Sequence, residues 1–360
     1  MNIYIVGGFL GSGKTTAIIS AAKQLLRQGK RVGVVTNDQG KYLVDTAFVS
    51  LNDIPTVEVS GGCFCCNYDD LETHLEKLNA DAAPDVIFAE SVGSCADVVA
   101  TVLKPLSTFR HIPYEQLVLT VFADSRLLLR RLRGLPLVFS DDVCYIFDKQ
   151  LEEAGLIVMN KSDLLNAEDR TELEHLAQRH FPAASFRLQN SLESNSVSAW
   201  LHELETISRG FPEQSLEIDY ARYGGGEAKL AWLDQDISFV VPPGQGRAAL
   251  LLLIGAIIDA LRRQNAPIGH VKFLAKGDTY EQKISFVTLA APDWEEALPE
   301  TPDTRFTLLI NARVETEAQA LRQLVRDAIN HAAQQGEFAV QEGRISAFHP
   351  AMPRPTHRLT

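Results

Sequence analysis

The stretch that most constrains the fold is "NIYIVGGFLGSGKTT", Asn2 to Thr16. An apolar run leads directly into Gly8-x-x-x-x-Gly13-Lys14-Thr15, and a helical pattern follows. Glycine tolerates backbone angles that other residues avoid. A loop carrying Gly8, Gly11 and Gly13 can therefore curl until successive N–H groups point inward. The N-terminus of the following helix adds partial positive charge. Together these form a cradle for a polyphosphate. Lys14 is placed to reach the β- and γ-phosphates and Thr15 to ligate Mg²⁺, while Ser12 and Thr16 complete the binding loop. A glycine-rich turn with no ligand is the competing reading, and the strand–loop–helix context argues against it.

The rest of the first two hundred residues suits such a loop. The runs "RVGVVTN", "DVIFAE", "LVLTVFAD" and "AGLIVMN" are almost continuously apolar, as expected of parallel strands covered on both faces. Helical patterns lie between them, for example Thr15 to Arg27 and Glu168 to Arg179. This predicts an α/β domain over residues 1–210, a P-loop doubly wound, mainly parallel sheet that binds ligands at the carboxyl ends of its strands. Residues 211–226 are polar and end in Gly224, Gly225 and Gly226, a linker pattern. Over 227–349 the order strand, helix, strands, helix, strand predicts a smaller α+β, ferredoxin-like C-terminal domain. Residues 350–360 are proline-rich and expected to be extended.

Two further pieces sharpen the first domain. "DVIFAE" ends in Glu90, where a carboxylate can hold Mg²⁺ or position an attacking water; a solvated strand-end acid is the plainer alternative. "AGLIVMN" runs into Asn160-Lys161-x-Asp163. A carboxylate at this strand end can accept from both the N1–H and the exocyclic amine of guanine. Adenine offers no such donor pair, so GTP and GDP are the expected nucleotides.

Bulk properties limit the remaining options. A net charge of -12 argues against nucleic acid as the main partner. The longest apolar run, Ala248 to Ile258, falls short of the roughly 20 residues of a membrane span, so no membrane association is expected. The chain enters a strand at once, with no basic leader and cleavage pattern, which predicts a cytoplasmic protein with reduced thiols.

In that setting "GGCFCC", Gly61 to Cys66, stands out: three of the five cysteines occupy four positions. Thiolates suit Zn²⁺ and Co²⁺, and a helix N-terminus just downstream would lower thiol pKa values. The same features suit redox chemistry, and small buried hydrophobes remain a third reading. As a metal site, Cys63, Cys65 and Cys66 are one ligand short of a closed tetrahedron. Asp38, a histidine, water or a second subunit could supply the fourth. Cys95 and Cys144 fall in helical contexts and are expected in the core.

These motifs together resemble the CobW-like GTPases, relatives of the hydrogenase- and urease-maturation metallochaperones. The resemblance rests on Gly7 to Thr16, "TNDQG" at Thr36 to Gly40, "GGCFCC", "FAESVG" at Phe88 to Gly93, Asp124 and "NKSD" at Asn160 to Asp163, and covers roughly residues 1–210. It implies slow GTP hydrolysis with Mg²⁺ at Thr15 and Glu90, coupled to binding of zinc or another transition metal at Cys63, Cys65, Cys66 and Asp38. Lys14, Glu90 and Asp38 would then be the catalytic set. The implied partners are a client metalloprotein or cofactor-maturation enzyme, with a homodimer as an option. The chain departs from the pattern in four ways. Asp38 replaces the usual Glu, Lys41 replaces an acidic residue, and no histidine-rich stretch is present. The usual Ser-Ala guanine loop is also missing, leaving Ser191 as a weak candidate. Two other functions stay open: a P-loop ATPase or small-molecule kinase with structural cysteines, and a nucleotide-dependent regulatory module without turnover.

Overall fold

The computed structural model describes residues 1–38, 44, 54–60, 62–109, 111–289 and 293–360, with the backbone alone at Asp38 and Ser60. These residues form two compact units. One lies within 1–39, 49–226 and 352–360, and the other consists of 227–351 together with Val44.

The first unit is built on seven strands: β1 (Asn2–Gly8), β2 (Val32–Asp38), β3 (Thr56–Ser60), β4 (Val86–Glu90), β5 (Gln116–Asp124), β6 (Leu156–Asn160) and β7 (Ser185–Gln189). Their order is β3-β2-β4-β1-β5-β6-β7. Every pairing is parallel. This is the doubly wound sheet expected from the apolar runs. The central strands are buried along nearly their whole length, which is why they read as continuous apolar segments. β3 was not among the expected runs. Its sequence, "TVEVS", alternates apolar and polar residues because it lies at the sheet edge.

Helices α1 (Lys14–Arg27), α2 (Tyr68–Ala82), α3 (Lys104–Phe109), α4 (Ser125–Leu132), α5 (Asp141–Glu152), α6 (Ala167–His180) and α7 (Ser194–Thr206) connect these strands, with a π-helical turn, Val99–Leu103, leading into α3. On α7 the fully buried Trp200 packs its ring 5.1 Å from Phe122 and 5.9 Å from Phe88, fastening the helix to the sheet.

The winding positions the site. The chain leaves β1 on one side and later returns to its other side, so β1 lies between β4 and β5 at the reversal of strand order. Ligands enter such sheets at this point, beyond the carboxyl ends of the strands. The register aligns those ends: Val6 pairs with Glu90, Gly8 with Phe122, Asp124 with Asn160, and Asn160 with Gln189.

Gly224 to Gly226, read from the sequence as the end of a linker, lie inside a helix, α8 (Tyr220–Lys229). Packing explains two of them. A Cβ at Gly226 would meet the backbone carbonyl of Asp142 at 2.5 Å and Ile146 Cδ1 at 2.9 Å. Gly226 allows close approach of α8 to α5, and a Cβ at Gly224 would strike Met352, whereas Gly225 has open space around it.

The second unit contains β8 (Leu230–Val240), α9 (Gly246–Arg263), β9 (Ile268–Lys276), β10 (Glu281–Phe286), β11 (Arg305–Glu315), α10 (Ala318–Gln335) and β12 (Val340–Phe348). The sheet order is β10-β9-β11-β8-β12, antiparallel throughout. Without the edge strand β10 this is a split βαββαβ unit, the ferredoxin-like arrangement expected from the element order. The apolar run at Ala248 to Ile258 belongs to α9, whose Leu250, Leu253, Ile254, Ile257, Ile258 and Leu261 are at most 1% exposed. Each such side chain contributes roughly 1.5–3 kcal/mol on burial. Among the described residues no helix is long and apolar enough to cross a membrane.

One buried charge pair sits in this sheet. Arg313 Nη1 donates to Asp234 Oδ1 at 2.8 Å, with side chains 1% and 0% exposed, and the guanidinium lies 4.0 Å from the Trp232 ring centroid. Asn311 joins the group by donating to Asp234 and accepting from the Val44 backbone N–H at 2.7 Å. Removing one member of a buried pair leaves an uncompensated charge. Arg313→Ala is expected to destabilise the protein by about 3–5 kcal/mol in denaturant unfolding. A loss below about 1 kcal/mol would show that the pair does not matter to stability.

Candidate functional site

The loop between β1 and α1 adopts the curled backbone its glycines allow. Gly8, Gly11 and Gly13 have φ of 125°, 73° and 95°. At Gly8 and Gly13 a side chain would also strike Phe122 backbone and the Asn160 amide respectively. Lys14 opens α1 and donates Nζ to the carbonyls of Gly8 at 2.7 Å and Phe9 at 3.4 Å, so its charge rests over the loop. The Ser12 hydroxyl is buried and has no hydrogen-bond partner among the described residues. An unpaired hydroxyl in a glycine-rich cradle fits a phosphate group, since buried polar atoms without partners are costly. Thr15 Oγ1 donates to Glu90 Oε1 at 2.9 Å, and both residues are buried. A hydroxyl and a carboxylate meeting beside the loop make an oxygen donor pair suited to Mg²⁺. Thr16 follows, half-buried, in the first turn of α1.

At the other side of β1, Asn160 works as a scaffold. Its Nδ2 donates to the Ser12 carbonyl at 2.8 Å, while its Oδ1 accepts from the Ser191 N–H at 3.1 Å and the Ser191 hydroxyl at 2.8 Å. Ser191, the weak candidate for base contact, is thereby held against the nucleotide side of the sheet, steadied also by Gln189 Nε2. Lys161 sits at φ 58° and its Nζ lies 3.1 Å from Asp124 Oδ2. Asp124 also takes both the backbone N–H and the guanidinium of Arg126. Burial acts to raise its pKa, but Arg126 and Lys161 outweigh burial and hold it below the usual carboxylate value. Asp163 stands on the short turn Ser162–Leu164 with its side chain exposed. The residues expected to bind nucleotide are therefore gathered at the carboxyl ends of the strands.

The three cysteines of "GGCFCC" come together between β3 and α2. Cys63 Sγ lies 3.4 Å from Cys66 Sγ, and Cys65 Sγ lies 3.7 Å from it. All three sulfurs are within 4.8 Å of one another. Cys63 and Cys65 are buried and Cys66 is half-exposed. The turn is closed by the N–H groups of Cys66 and Asn67 donating to the Cys63 carbonyl, both at 3.0 Å.

Asn37, at the end of β2, fixes this loop and was not singled out from the sequence. Its Nδ2 donates to the carbonyls of Val59 at 3.0 Å and Gly62 at 2.6 Å, and its Oδ1 accepts from the Phe64 N–H at 2.9 Å. The only signal was a polar residue ending an apolar run. Asn37→Ala strands three buried backbone groups and is expected to cost about 2–4 kcal/mol. A thermal melt unchanged from wild type would refute this clamp.

The thiol protons are held more firmly than a helix N-terminus alone would predict. Hydrogen bonds with Cys63, Cys66 and Cys95, together with burial, push Cys65 well above its usual value; at Cys63 the hydrogen bonds with Cys65 and Cys66 act to lower the pKa, but Cys95 and burial outweigh them and leave it raised. Cys66 is pushed up to about 11, chiefly by Cys63, with burial adding to it and the Arg354 N–H working against it. The expected lowering of thiol pKa is thus overturned, because the sulfurs face one another in a largely buried cluster.

Two other features lie beyond what sequence spacing could show. Cys95, expected in a helix, lies in the loop after β4, with its Sγ 3.8 Å from Cys65 Sγ. Cys144 is in α5 as expected and donates to the Phe139 carbonyl. Met352–Thr360, the expected extended tail, has no helix or strand and runs across the cysteine motif. Arg354 N–H donates to Cys66 Sγ at 3.2 Å, and Thr356 donates its N–H to the Cys65 carbonyl and its hydroxyl to the Cys66 carbonyl. Arg358 anchors the strap on buried Asp97 at 2.7 Å, which Tyr220 also contacts. The Asp38 side chain and Gln39, Gly40, Lys41 and Gly61 lie outside the described residues.

With this geometry in place, the comparisons with known proteins are informative. The family model described as "CobW/HypB/UreG, nucleotide-binding domain" matches residues 2–187. "Zinc chaperone CobW" of Sinorhizobium sp is 29% identical over 185 residues, covering 45% of this chain and 51% of that protein. "Zinc chaperone YeiR" of Escherichia coli (strain K12) is 29% identical over 178 residues, covering 49% of this chain and 51% of that protein. The chain thus spans about half the length of the curated relatives it matches. Among solved structures, Zn(II)-bound YjiA GTPase from E. coli aligns over 91% of this chain and 98% of that one. Its identity is 12% and its TM-score 0.39, too slight a likeness to carry weight.

Proposed function

The chain belongs to the CobW/HypB/UreG family, and from that premise we propose that it is a GTP-binding, GTP-hydrolysing metallochaperone whose cargo is zinc or a similar transition metal. The observation that carries this reading is the shared sheet. The cysteine loop hangs from Asn37 at the end of β2, whose neighbour β4 ends in Glu90, the acceptor of the Thr15 hydroxyl. A phosphate cradle and a thiol cluster on adjacent strand ends suit a protein that couples nucleotide to metal.

The roles follow from chemistry. Gly8, Gly11, Ser12, Gly13, Lys14, Thr15 and Thr16 hold the phosphates, Asp163 reads the base, and Asn160 and Lys161 complete the nucleotide site by holding the loops around it. Thr15 and Glu90 take Mg²⁺, which neutralises charge developing on the phosphates. Lys14 and Glu90 serve hydrolysis, with Asp38 as the third member of that set. Cys63, Cys65 and Cys66 take the metal cargo as thiolates, with Asp38 as a further ligand. Delivery goes to a client metalloprotein or cofactor-maturation enzyme.

Coupling has a measurable consequence. A nucleotide-dependent loop arrangement worth about 1–3 kcal/mol would change metal affinity by roughly 5- to 150-fold. Zinc affinity measured with a non-hydrolysable GTP analogue and with GDP is expected to differ within that range. Equal affinities would sink the coupled mechanism. ATP binding as tight as GTP binding would instead favour the ATPase or kinase reading.

A further inference from the structure

Building on the proposed cargo site, we infer that Cys95, rather than Asp38, supplies the fourth ligand, a thiolate, to the metal held by Cys63, Cys65 and Cys66. Tetrahedral zinc with bonds of about 2.3 Å places its sulfurs about 3.8 Å apart. The sulfur separations here match that edge: 3.4 Å for Cys63–Cys66, 3.7 Å for Cys65–Cys66 and 3.8 Å for Cys95–Cys65. Cys95 falls outside the group of three whose sulfurs are all within 4.8 Å. Closing the tetrahedron therefore needs its side chain to turn inward, a rotation at a single χ angle.

The backbone that carries Cys95 is fixed. Its N–H donates to the Val92 carbonyl at 2.9 Å, its carbonyl accepts from Gln150 Nε2 at 2.9 Å, and the Ala96 N–H next to it donates to the Tyr223 hydroxyl at 3.1 Å. Cys95 is 1% exposed, so a metal it helps hold would be reached from the Cys66 side. This loop also begins at Glu90, five positions upstream. Three thiolates make an open site that releases its ion, and a fourth closes it.

The balance of the step is explicit. Four thiols and one Zn²⁺ give a zinc tetrathiolate of net charge -2, and four protons pass to solvent. No electrons move, so no oxidant is needed. The Arg354 N–H on Cys66 Sγ is already placed to share the sulfur charge.

Cobalt(II) reports sulfur ligation through its thiolate charge-transfer absorption, whose intensity scales with the number of bound thiolates. Purified reduced protein is loaded with Co²⁺ alone, as wild type and as Cys95→Ser, Cys66→Ser and Cys144→Ser. The expected result is a loss of about a quarter of the band in both Cys95→Ser and Cys66→Ser, with Cys144→Ser unchanged. Zinc should also dissociate faster from Cys95→Ser. X-ray absorption on wild-type zinc protein, which requires no variant to fold, should give four sulfur neighbours. A full-intensity band in Cys95→Ser, or three sulfurs plus a lighter atom in the wild type, overturns the inference and leaves the metal-binding reading intact. A wild type with no thiolate band at all overturns both.

Discussion

Replacing Cys65 and Cys66 together by serine is expected to lower zinc affinity at pH 7 by at least about four-thousandfold. Structural zinc sites bind with roughly 10–16 kcal/mol in total, so about 2.5–4 kcal/mol per ligand and about 5–8 kcal/mol for two. The loss should depend steeply on pH. All three thiols of the motif are raised above their ordinary values, Cys66 to about 11. Below those values each thiol keeps its proton, and zinc must displace it. Wild-type affinity therefore rises with pH, up to tenfold per unit for each thiol engaged, and falls as the solution is acidified. The double variant keeps Cys63 alone from the motif and should show a much shallower slope. Competition against a zinc chelator at pH 6.5, 7.5 and 8.5 measures both quantities. A wild-type affinity that does not change with pH would mean that the cysteines are not the ligands.

The sequence made the nucleotide half legible because its chemistry is local. Gly8 to Thr16 form one loop, and the glycines betray the backbone they must adopt. The parallel strands were readable because burial on both faces leaves only apolar residues, whereas β3, at the edge, kept an alternating pattern that apolar-run reading misses. The glycines of α8 misled because close packing and flexibility select the same residue. The metal half was legible only as a cluster of residue types. Its organisation depends on partners far along the chain: Asn37 is 27 positions from Phe64, Cys95 is 30 from Cys65, and Arg354 is 288 from Cys66. Spacing carries no trace of such contacts. The thiol pKa values were misjudged for a related reason, since the local helix N-terminus is visible in sequence and the surrounding desolvation is not.

Base recognition gives the other large effect. Asp163→Asn is expected to exchange guanine preference for xanthine preference, shifting the ratio of the two nucleotide affinities by at least about ten-thousandfold. In the proposed base site, a carboxylate at position 163 would accept from the N1–H and the 2-amino group of guanine, two charge-assisted hydrogen bonds worth about 1.5–3 kcal/mol each. An amide keeps one acceptor and puts a donor where the second acceptor was. The amide N–H then faces the guanine amine, donor against donor, and that pairing is lost. Xanthine carries a carbonyl at the same ring position, so the amide suits it and the carboxylate repels it. The exposed position of Asp163 lets the exchange occur without disturbing the core. Asn160, by contrast, ties Ser12 to Ser191 across the loop, and changing it would damage the cradle itself. Equilibrium binding of GDP and xanthosine diphosphate to both proteins decides the matter. If Asp163→Asn binds GDP as tightly as wild type, the base is read elsewhere and the N-K-x-D segment serves only as a turn.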